Sequence, residues 1–274
     1  MALKEMLAAE DVFVALEITP PKTPRPEVLL RRASLLAEIT TTINVIQRPG
    51  RQSSLDASCE LRAAGYEPVW HLVARGEDAH DLPAAIERAT AAGVDDVLCI
   101  LGDRPGEAAM RVRDMVAAVG KGIPGACVGA TMNQYAVTES AMANLYGKIE
   151  AGATFVETQP AFGLERLAAV VEPARKRFPD TGFVAMAMPL VTPGAASRME
   201  ARLGFAIPES YREQIARGPE AAWRAFAENL GTLRASGLVS GIAIMTPEMD
   251  PGPTTAARIR DAVVAAGLAR VTAH

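Results

Sequence analysis

A carboxylate inside an apolar run is the first residue of this chain whose type and position could do chemistry. Glu17 lies in FVALEITPPKT (Phe13–Thr23), where four apolar residues precede it and a Pro-Pro pair ends the run. Such a run is typical of a strand covered on both faces, as in a parallel sheet. A buried carboxylate costs free energy unless it has a partner or a role. On this stretch alone, a carboxylate that points to solvent at a strand end is an open alternative.

Polar side chains also occur where the later apolar runs end. They are Glu17, Gln47, His71, Asp103, Thr131, Asn133, Thr158, Gln159, Thr246 and Glu248. If the runs are parallel strands of one barrel, their carboxyl ends share one mouth, where barrel enzymes do their chemistry. Two carboxylates, an amide and an imidazole would then converge as an acid/base and hydrogen-bonding apparatus for a small organic substrate.

Each of these residues also has an ordinary structural interpretation. His71 could be a core histidine with satisfied hydrogen bonds, and Asp103 could only cap the helix that follows it. Gln159, which precedes a proline, could only hold a loop in place. Met186 and Met188 are more typical of core packing than of a ligand platform.

The elements that must position these residues are eight short apolar runs that alternate with amphipathic helical segments. The strand-like runs are Phe13–Thr23, Thr42–Gln47, Glu67–Val73, Asp95–Leu101, Ala126–Met132, Phe155–Pro160, Gly182–Pro189 and Val239–Thr246. The predicted helices are Glu27–Glu38, Ser53–Ala64, His80–Ala92, Glu107–Val119, Thr138–Ala151, Leu164–Arg177, Ala195–Ala235 (broken near Pro208 and Gly218) and Thr254–Ala266. This alternation predicts an α/β fold, a single (β/α)8 TIM barrel that spans residues 1–274 as one domain. The competing doubly wound sheet normally uses fewer strands and would leave part of the chain over.

Composition excludes several classes of protein. The hydrophobic fraction of 49% is ample for a core, and the net charge of −4, with lysine and arginine spread evenly, gives no electrostatic footprint for nucleic acid. No apolar run approaches the roughly 20 residues of a membrane span. The N-terminal MALKEMLAAED carries acids and lacks the apolar core of a secretory signal. We therefore expect a cytoplasmic protein without nucleic-acid or membrane partners, and a homo-oligomer is left open.

The sequence also argues against several kinds of site. Cys59, Cys99 and Cys127 are odd in number and far apart, and with three histidines and no Cys-x-x-Cys pair we predict no metal site. No G-x-G-x-x-G opens the first helix, so a Rossmann nicotinamide site is not indicated. No Ser-His-Asp or Cys-His arrangement is suggested by the spacing.

Five motifs together resemble the methylenetetrahydrofolate reductase family. They are EITPPKT, WHL, LGD, KIEAGATFVETQP and FAIPESY, in the order of the family and at about its spacing, over nearly the whole chain. The strongest parts are E-x-x-P-P-K in the first strand and K-x-x-A-G-A followed by T-Q-P. The resemblance implies a (β/α)8 barrel that holds FAD. It also implies reduction of 5,10-methylenetetrahydrofolate to 5-methyltetrahydrofolate by NADH or NADPH.

The resemblance also implies roles for individual residues. Glu17 would be the general acid that protonates N10 of the folate as its five-membered ring opens. Asp103, the second catalytic residue, would lie near the flavin N1 edge and the pterin. Gln159, the third, would contact the substrate or the nicotinamide, with Phe162 lining that site. The cofactor contacts would come from His71, Leu101, Gly102, Asp103, Thr131 and Lys148.

Three regions depart from the family pattern. Leu101 stands where the family usually has an arginine before Gly-Asp. After the second strand, Ile46-Gln47-Arg48 replaces Thr-Tyr-Gly, and at the fifth strand Thr131 and Met132, with a shorter loop, replace Tyr-Pro and a downstream histidine. All three regions contact the flavin in the family. The resemblance therefore supports folate reduction more strongly than tight FAD binding.

Three alternatives to a flavin-dependent reductase are open. The barrel could pass hydride directly from nicotinamide to the pterin, or it could be a catalytically silent folate-binding subunit of a methyl-transfer system. A folate-dependent methyltransferase is a further class, but nothing in the sequence resembles a metal or corrinoid site. The joint presence of Glu17, Asp103 and Gln159 argues against the silent barrel.

Overall fold

Eight parallel strands close into a barrel, as the sequence predicts. The structure is a computed structural model and describes residues 2–102 and 108–269. Each strand pairs with the next in chain order, and the eighth pairs with the first. The strands are β1 Phe13–Ile18, β2 Thr42–Val45, β3 Glu67–Val73, β4 Asp96–Ile100, β5 Cys127–Thr131, β6 Phe155–Pro160, β7 Gly182–Ala187 and β8 Gly241–Met245. The predicted single (β/α)8 barrel is confirmed, and most strands end inside the predicted apolar runs.

Eleven α-helices lie within the described residues. They are α1 Leu3–Ala8, α2 Pro26–Ala33, α3 Ser54–Ala63, α4 Leu82–Ala92, α5 Val112–Gly122, α6 Glu139–Glu150, α7 Glu165–Arg177, α8 Pro193–Leu203, α9 Glu209–Ala216, α10 Pro219–Ala235 and α11 Pro253–Ala265. Single 3₁₀ turns occur at Ser34–Leu36 and Glu77–Ala79. In the described part of the chain, none of these helices has the length and apolar character that a membrane crossing requires.

The long helical segment after β7 is broken at the two predicted points. Helix α9 begins directly after Pro208, and α10 begins at Pro219. Proline suits the first turn of a helix, where its missing N–H leaves no intrahelical hydrogen bond unmade. The prediction of a helical region broken near these residues is therefore confirmed.

Helix α1 was not predicted from the sequence. Its Leu3 is buried in the same cluster as Ala15 of β1 and Phe155 of β6. Its Leu7 packs on Gly182 at the start of β7, where an added Cβ would lie 2.6 Å from Leu7 Cδ2. The helix therefore covers the N-terminal end of the barrel, opposite the mouth.

Two phenylalanines fill the barrel interior where two glycines leave room for them. A Cβ on Gly129 would lie 2.2 Å from Phe155 Cζ, and one on Gly241 would lie 2.3 Å from Phe13 Cε1. Real Cβ atoms do not approach other atoms that closely, so both strands need glycine here. The interior below the mouth is a packed core rather than a pore, as is usual for this fold.

The pleat of the strands places polar residues above this core. Because successive side chains alternate between the two faces of a strand, Glu157 points inward two residues after Phe155, and Glu17 does so two residues after Ala15. The register aligns Glu17 with Asn44 of β2 and Glu157 with Thr131 of β5. Polar side chains therefore form the inward layer nearest the carboxyl ends of the strands.

Arg32, an almost fully buried arginine of α2, connects two loops that border the mouth. It donates hydrogen bonds to the Thr19 carbonyl oxygen (2.6 Å) and to Asp250 Oδ1 (3.3 Å). Arg31 donates to the same Asp250 oxygen at 2.6 Å. The hydrogen bond from Arg31, followed by that from Arg32, holds the pKa of Asp250 below its usual value. These contacts hold the loops after β1 and β8 against α2.

Candidate active site

The inner end of the mouth holds three buried polar side chains, which we call the buried triad. Glu17 on β1, His71 on β3 and Glu157 on β6 are 4%, 3% and 2% exposed. One ligand atom from each, a carboxylate oxygen or a ring nitrogen, lies within 4.8 Å of the others. The structure therefore brings Glu17 and His71 together, and Glu17 does not point to solvent.

Glu157 is the functional candidate that the sequence analysis missed. The candidates predicted from the sequence are polar residues at strand ends, whereas Glu157 lies in the middle of FVETQP, before Thr158 and Gln159. The signal that could have found it is a carboxylate directly after the apolar pair Phe155-Val156, inside the strand rather than at its end, as Glu17 is. Asn44, in the middle of β2, was missed for the same reason.

The surroundings of Glu157 favour its protonated form. Asn44 Nδ2 donates a hydrogen bond to Glu157 Oε2 at 2.7 Å. Burial, and then the charge of Glu17, raise the pKa of Glu157 to about 8, while the Asn44 hydrogen bond acts in the opposite direction. A carboxyl with that pKa is largely protonated at neutral pH, so Glu17 and Glu157 do not carry two full charges there.

His71 is a neutral imidazole with an unused hydrogen-bonding atom. Burial lowers its pKa to about 3, so that the ring is uncharged at neutral pH. Its Nε2 is buried and has no hydrogen-bond partner among the residues that the structure describes. Buried polar atoms normally have partners, so this nitrogen is suited to bind a molecule in the mouth. The interpretation of His71 as a fully satisfied core histidine does not fit this atom.

The donor types of the buried triad also occur around metal ions. Carboxylate oxygens and imidazole nitrogens are the usual ligands of zinc and other transition metals. The sequence analysis predicts no metal site, and that statement stays a prediction.

Three cavities border the mouth, and they share lining residues. The acid cavity, about 300 Å³, is lined by Glu17 and by Met245 of β8. The arginine cavity, about 600 Å³, is lined by His71. Ile46 and Arg48 line both of these cavities, so the two adjoin each other.

The third cavity contains most of the predicted cofactor and substrate residues. We call it the lysine cavity; it measures about 400 Å³ and shares Ile100 and Gly102 with the arginine cavity. Its predicted site residues are Leu101, Gly102, Thr131, Lys148 and Gln159. The three cavities thus lie next to one another in an arc around the mouth, with Glu17 in the acid cavity and Gln159 in the lysine cavity.

Lys148 lies on α6 and is directed toward β5. Its Nζ donates a hydrogen bond to the Thr131 carbonyl oxygen at 2.8 Å, and burial lowers its pKa. Helix α6 begins at the predicted N-cap Thr138, whose Oγ1 accepts a hydrogen bond from the Ala141 N–H at 3.1 Å. The capped helix therefore places an amine beside the lysine cavity, where it can bind an anionic group.

Gln159 combines a fixed backbone with a side chain that borders the lysine cavity. The buried Gln134 donates from Nε2 to the Gln159 carbonyl oxygen at 2.8 Å. In return, the Gln159 N–H donates to Gln134 Oε1 at 3.0 Å. The loop-supporting interpretation thus applies to the backbone of Gln159, and the side chain lines the cavity.

Large apolar side chains are exposed at the arc. Leu101, Val137 and Met249 are 45%, 40% and 50% exposed, and they are the large hydrophobic residues with high exposure in the described part of the chain. Leu101 and Val137 line the lysine cavity, and Met249 lines the acid cavity. Leu101 and Val137 therefore give the lysine cavity an apolar rim, which suits the face of a flat ring system.

The arginine cavity supplies positive charge. Arg48, Arg51 and Arg75 line it, together with the carboxylates Asp56 and Glu77, so arginines are in excess. Arg51 Nη1 donates to the Pro20 carbonyl oxygen at 3.0 Å, and Arg75 Nη1 donates to the Gly102 carbonyl oxygen at 2.9 Å. Guanidinium groups bind phosphates well, so this donor set fits the diphosphate of a dinucleotide such as FAD or NAD(P)H.

Of the remaining predicted site residues, one lies outside the arc and the other is not among the described residues. Phe162 is nearly buried, with its ring centroid 5.1 Å from that of Tyr211 in an edge-on arrangement and 6.1 Å from that of Phe205. It lines a separate cavity of about 560 Å³, with Tyr135, rather than the arc. Asp103 falls outside the described residues, so its roles beside the flavin and the pterin stay predictions.

Fold and site together define a (β/α)8 barrel with a buried carboxyl pair at its mouth. The sequence model described as methylenetetrahydrofolate reductase matches residues 2–233 of the chain. The chain therefore belongs to the methylenetetrahydrofolate reductase family. Among curated proteins, none matches the chain.

Solved structures with the same fold include proteins of different functions. One is a Clostridium thermocellum protein that binds two copies of 5-methyl-5,6,7,8-tetrahydrofolic acid, with 12% identity, 96% of each chain covered and a TM-score of 0.70. Another is Mycobacterium tuberculosis tryptophan synthase, with 12% identity, 97% of this chain and 98% of that chain covered and a TM-score of 0.59. A phosphonopyruvate hydrolase complexed with oxalate and Mg²⁺ has 14% identity, 97% of this chain and 84% of that chain covered and a TM-score of 0.55. At these identities the likeness shows the barrel fold alone.

Proposed function

We propose that the protein reduces 5,10-methylenetetrahydrofolate to 5-methyltetrahydrofolate with NADH or NADPH, and that it uses FAD. The observation that carries this proposal is the buried Glu17 carboxyl at the mouth of a barrel of this family, beside Glu157 and a neutral His71. A structural neighbour that binds 5-methyltetrahydrofolic acid supports a folate as the ligand.

Each cavity of the arc suits one part of the reactants. The acid cavity, with Glu17 and four methionine side chains, suits the pterin ring. Glu17 would protonate N10 as the five-membered ring opens, which leaves an N5 iminium to accept hydride. The arginine cavity suits the diphosphate of the nicotinamide nucleotide. His71 Nε2 would hydrogen-bond a ligand atom where the two cavities meet.

FAD, when bound, would accept hydride from the nicotinamide and deliver it to the folate. The residues suited to hold it are Lys148, Thr131 and Gly102 of the lysine cavity and the arginines of the adjoining cavity. The exposed Leu101 gives the flavin an apolar contact without a charge.

Oxidation of NADH or NADPH that depends on methylenetetrahydrofolate tests the proposed function. We expect absorbance of the nicotinamide to fall only when protein, folate and nucleotide are all present. Oxidation at the same rate without folate would contradict the proposal. Binding of 5-methyltetrahydrofolate without any turnover would favour the catalytically silent barrel instead.

We predict that FAD binds more loosely than is usual for the family and is partly lost on purification. Leu101 cannot make the charge-assisted contact that an arginine would, and such a contact contributes about 1.5–3 kcal/mol, or roughly a factor of ten to a hundred in affinity. Leu101→Arg should therefore tighten FAD binding, toward the lower end of that range because the site is 45% exposed. Leu101→Met is the matched control without a charge.

Removal of flavin separates the flavin-dependent route from its alternative. We expect stripped protein to be inactive and to recover NADH-dependent folate reduction when FAD is added. Full activity of flavin-free protein would show direct hydride transfer from nicotinamide to folate. That result would still support the reduction of folate but would contradict the proposed use of FAD.

A further inference from the structure

The reaction described above leaves Glu157 without a role. Its carboxyl is 2% exposed, yet it belongs to the buried triad and faces Glu17 across the barrel interior. Burial of a second carboxylate at this depth is costly unless the group is paired with a cation or holds a proton. Within the described residues, Glu157 forms no ion pair with lysine or arginine, and its hydrogen bond comes from the neutral amide of Asn44.

We propose that Glu157 is a positioning residue for the acid, and that the carboxyl groups of Glu17 and Glu157 together hold one proton at neutral pH. Glu157 keeps this proton beside Glu17, which transfers it to the substrate. The identity of the proton acceptor, N10 of the folate, rests on the proposed function. The sharing of one proton by the two carboxyls does not depend on the proposed function.

The described charged and titratable groups around Glu157 fit this arrangement. Glu17 on β1 and the neutral His71 on β3 face it, and Lys148 lies behind β5 on the Thr131 carbonyl. Strands β7 and β8 carry no titratable side chain, and Asp96 and Cys127 lie at the opposite ends of β4 and β5. Two carboxylates in one low-dielectric site cannot easily ionise together, so one proton is retained.

Asn44 fixes which oxygen of Glu157 can exchange the proton. Asn44 Nδ2 donates a hydrogen bond to Glu157 Oε2 at 2.7 Å. An amide N–H can donate to that oxygen whether or not the carboxyl is protonated. The proton is therefore best placed on the other oxygen, Oε1. Asn44 and Glu17 are partners in the β1–β2 register, so one strand pair positions both groups.

The proton count of the cycle balances. Ring opening breaks the bond between N10 and the bridging carbon, and N10 takes the proton of the pair. A hydride equivalent that originates from the nicotinamide nucleotide then reduces the iminium carbon to the methyl group, and the nucleotide is left oxidised. The two carboxyls are left without a proton and regain one from water after the product departs.

Thermal unfolding as a function of pH tests the shared proton without any need for activity. A carboxyl with a raised pKa in the folded protein stabilises the fold at low pH, and this contribution is lost as pH rises from its unfolded value, 4.5, to about 8. Wild-type protein should therefore lose more stability between pH 5 and about 8 than Glu157→Gln does. Asp96→Asn should show a reduced loss of its own, because burial raises the pKa of Asp96 to about 7 at the far end of the barrel. Glu10→Gln, which removes an exposed carboxylate between α1 and β1, is the control that should lose stability as the wild type does.

The pH dependence of turnover distinguishes a positioning role of Glu157 from a merely structural one. Wild-type turnover should fall as pH rises through about 8. In Glu157→Gln that fall should move to lower pH, with a loss of tenfold or more at neutral pH and a smaller loss near pH 5. Glu157→Asp should restore part of the wild-type profile, and Asp96→Asn should leave the profile unchanged.

Two results would overturn the proposal. One is a Glu157→Gln protein whose stability depends on pH as that of the wild type does. The other is a divalent metal that copurifies with the wild type and is lost from Glu157→Gln, since a metal would replace the shared proton. If no variant or wild type reduces folate, the proposed function fails, while the unfolding comparison still decides whether the carboxyls share a proton.

Discussion

Glu17→Gln is expected to lower folate turnover by about 10²–10⁴-fold, the range that general acid catalysis contributes. The amide keeps the shape of the side chain and its hydrogen-bonding capacity but cannot give up a proton to N10. Nucleotide affinity should change little, because the arginine cavity is unaltered. Initial rates with saturating NADH and methylenetetrahydrofolate measure the effect.

The same variant distinguishes a catalytic Glu17 from a structural one. Removing one of two facing carboxyls relieves their repulsion, so the melting temperature at pH 8 should not fall. A large drop in melting temperature with an unchanged rate per folded molecule would show that Glu17 is structural. Glu10→Gln, an exposed carboxylate between α1 and β1, is the control for loss of a negative charge.

Phe155→Ala is expected to cost about 3–5 kcal/mol of folding free energy, as is usual when a fully buried aromatic side chain is removed. Phe155 is 2% exposed in the barrel interior, two residues before Glu157, so its loss leaves a void directly below the buried triad. Denaturant unfolding followed by circular dichroism measures the loss. Phe178→Ala, at a half-buried ring beside Tyr146, should cost much less.

A double-mutant cycle identifies the cause of that loss. Gly129→Ala alone should destabilise the protein by about 1–3 kcal/mol, because its Cβ would lie 2.2 Å from the Phe155 ring. In the Phe155→Ala background the same substitution should cost little, since the ring is gone. Additive effects would show that the two residues do not pack against each other.

The barrel could be predicted because its signals are local and repeated. Eight apolar runs alternate with helical segments that end at proline or glycine. Few chain topologies are compatible with this alternation. Helix α1 was missed because its six residues are too few to show a period of 3.6. Its position depends on contacts with β7 that no local pattern encodes.

The candidate site could be predicted only in part, because burial and direction decide its chemistry. The apolar surroundings of Glu17 were visible in the sequence, whereas the facing position of Glu157 depends on the pairing of β6 within a closed barrel. The division of the mouth into three cavities depends on loops after the strands. For this reason Glu17 and Gln159, which were predicted to open on one mouth, line different cavities of the arc at that mouth.

The proposed reduction of a folate is tested most directly by identifying the product. Purified protein, supplemented with FAD, is incubated with methylenetetrahydrofolate and NADH deuterated at the transferred position, and the folates are analysed by mass spectrometry. We predict that 5-methyltetrahydrofolate accumulates in step with NAD⁺, and that Glu17→Gln protein forms almost none. Full deuterium in the methyl group would favour direct transfer from the nicotinamide over the flavin route, because the N5 hydrogen of a reduced flavin exchanges with water. Oxidised nicotinamide without 5-methyltetrahydrofolate, or neither product, would contradict the account.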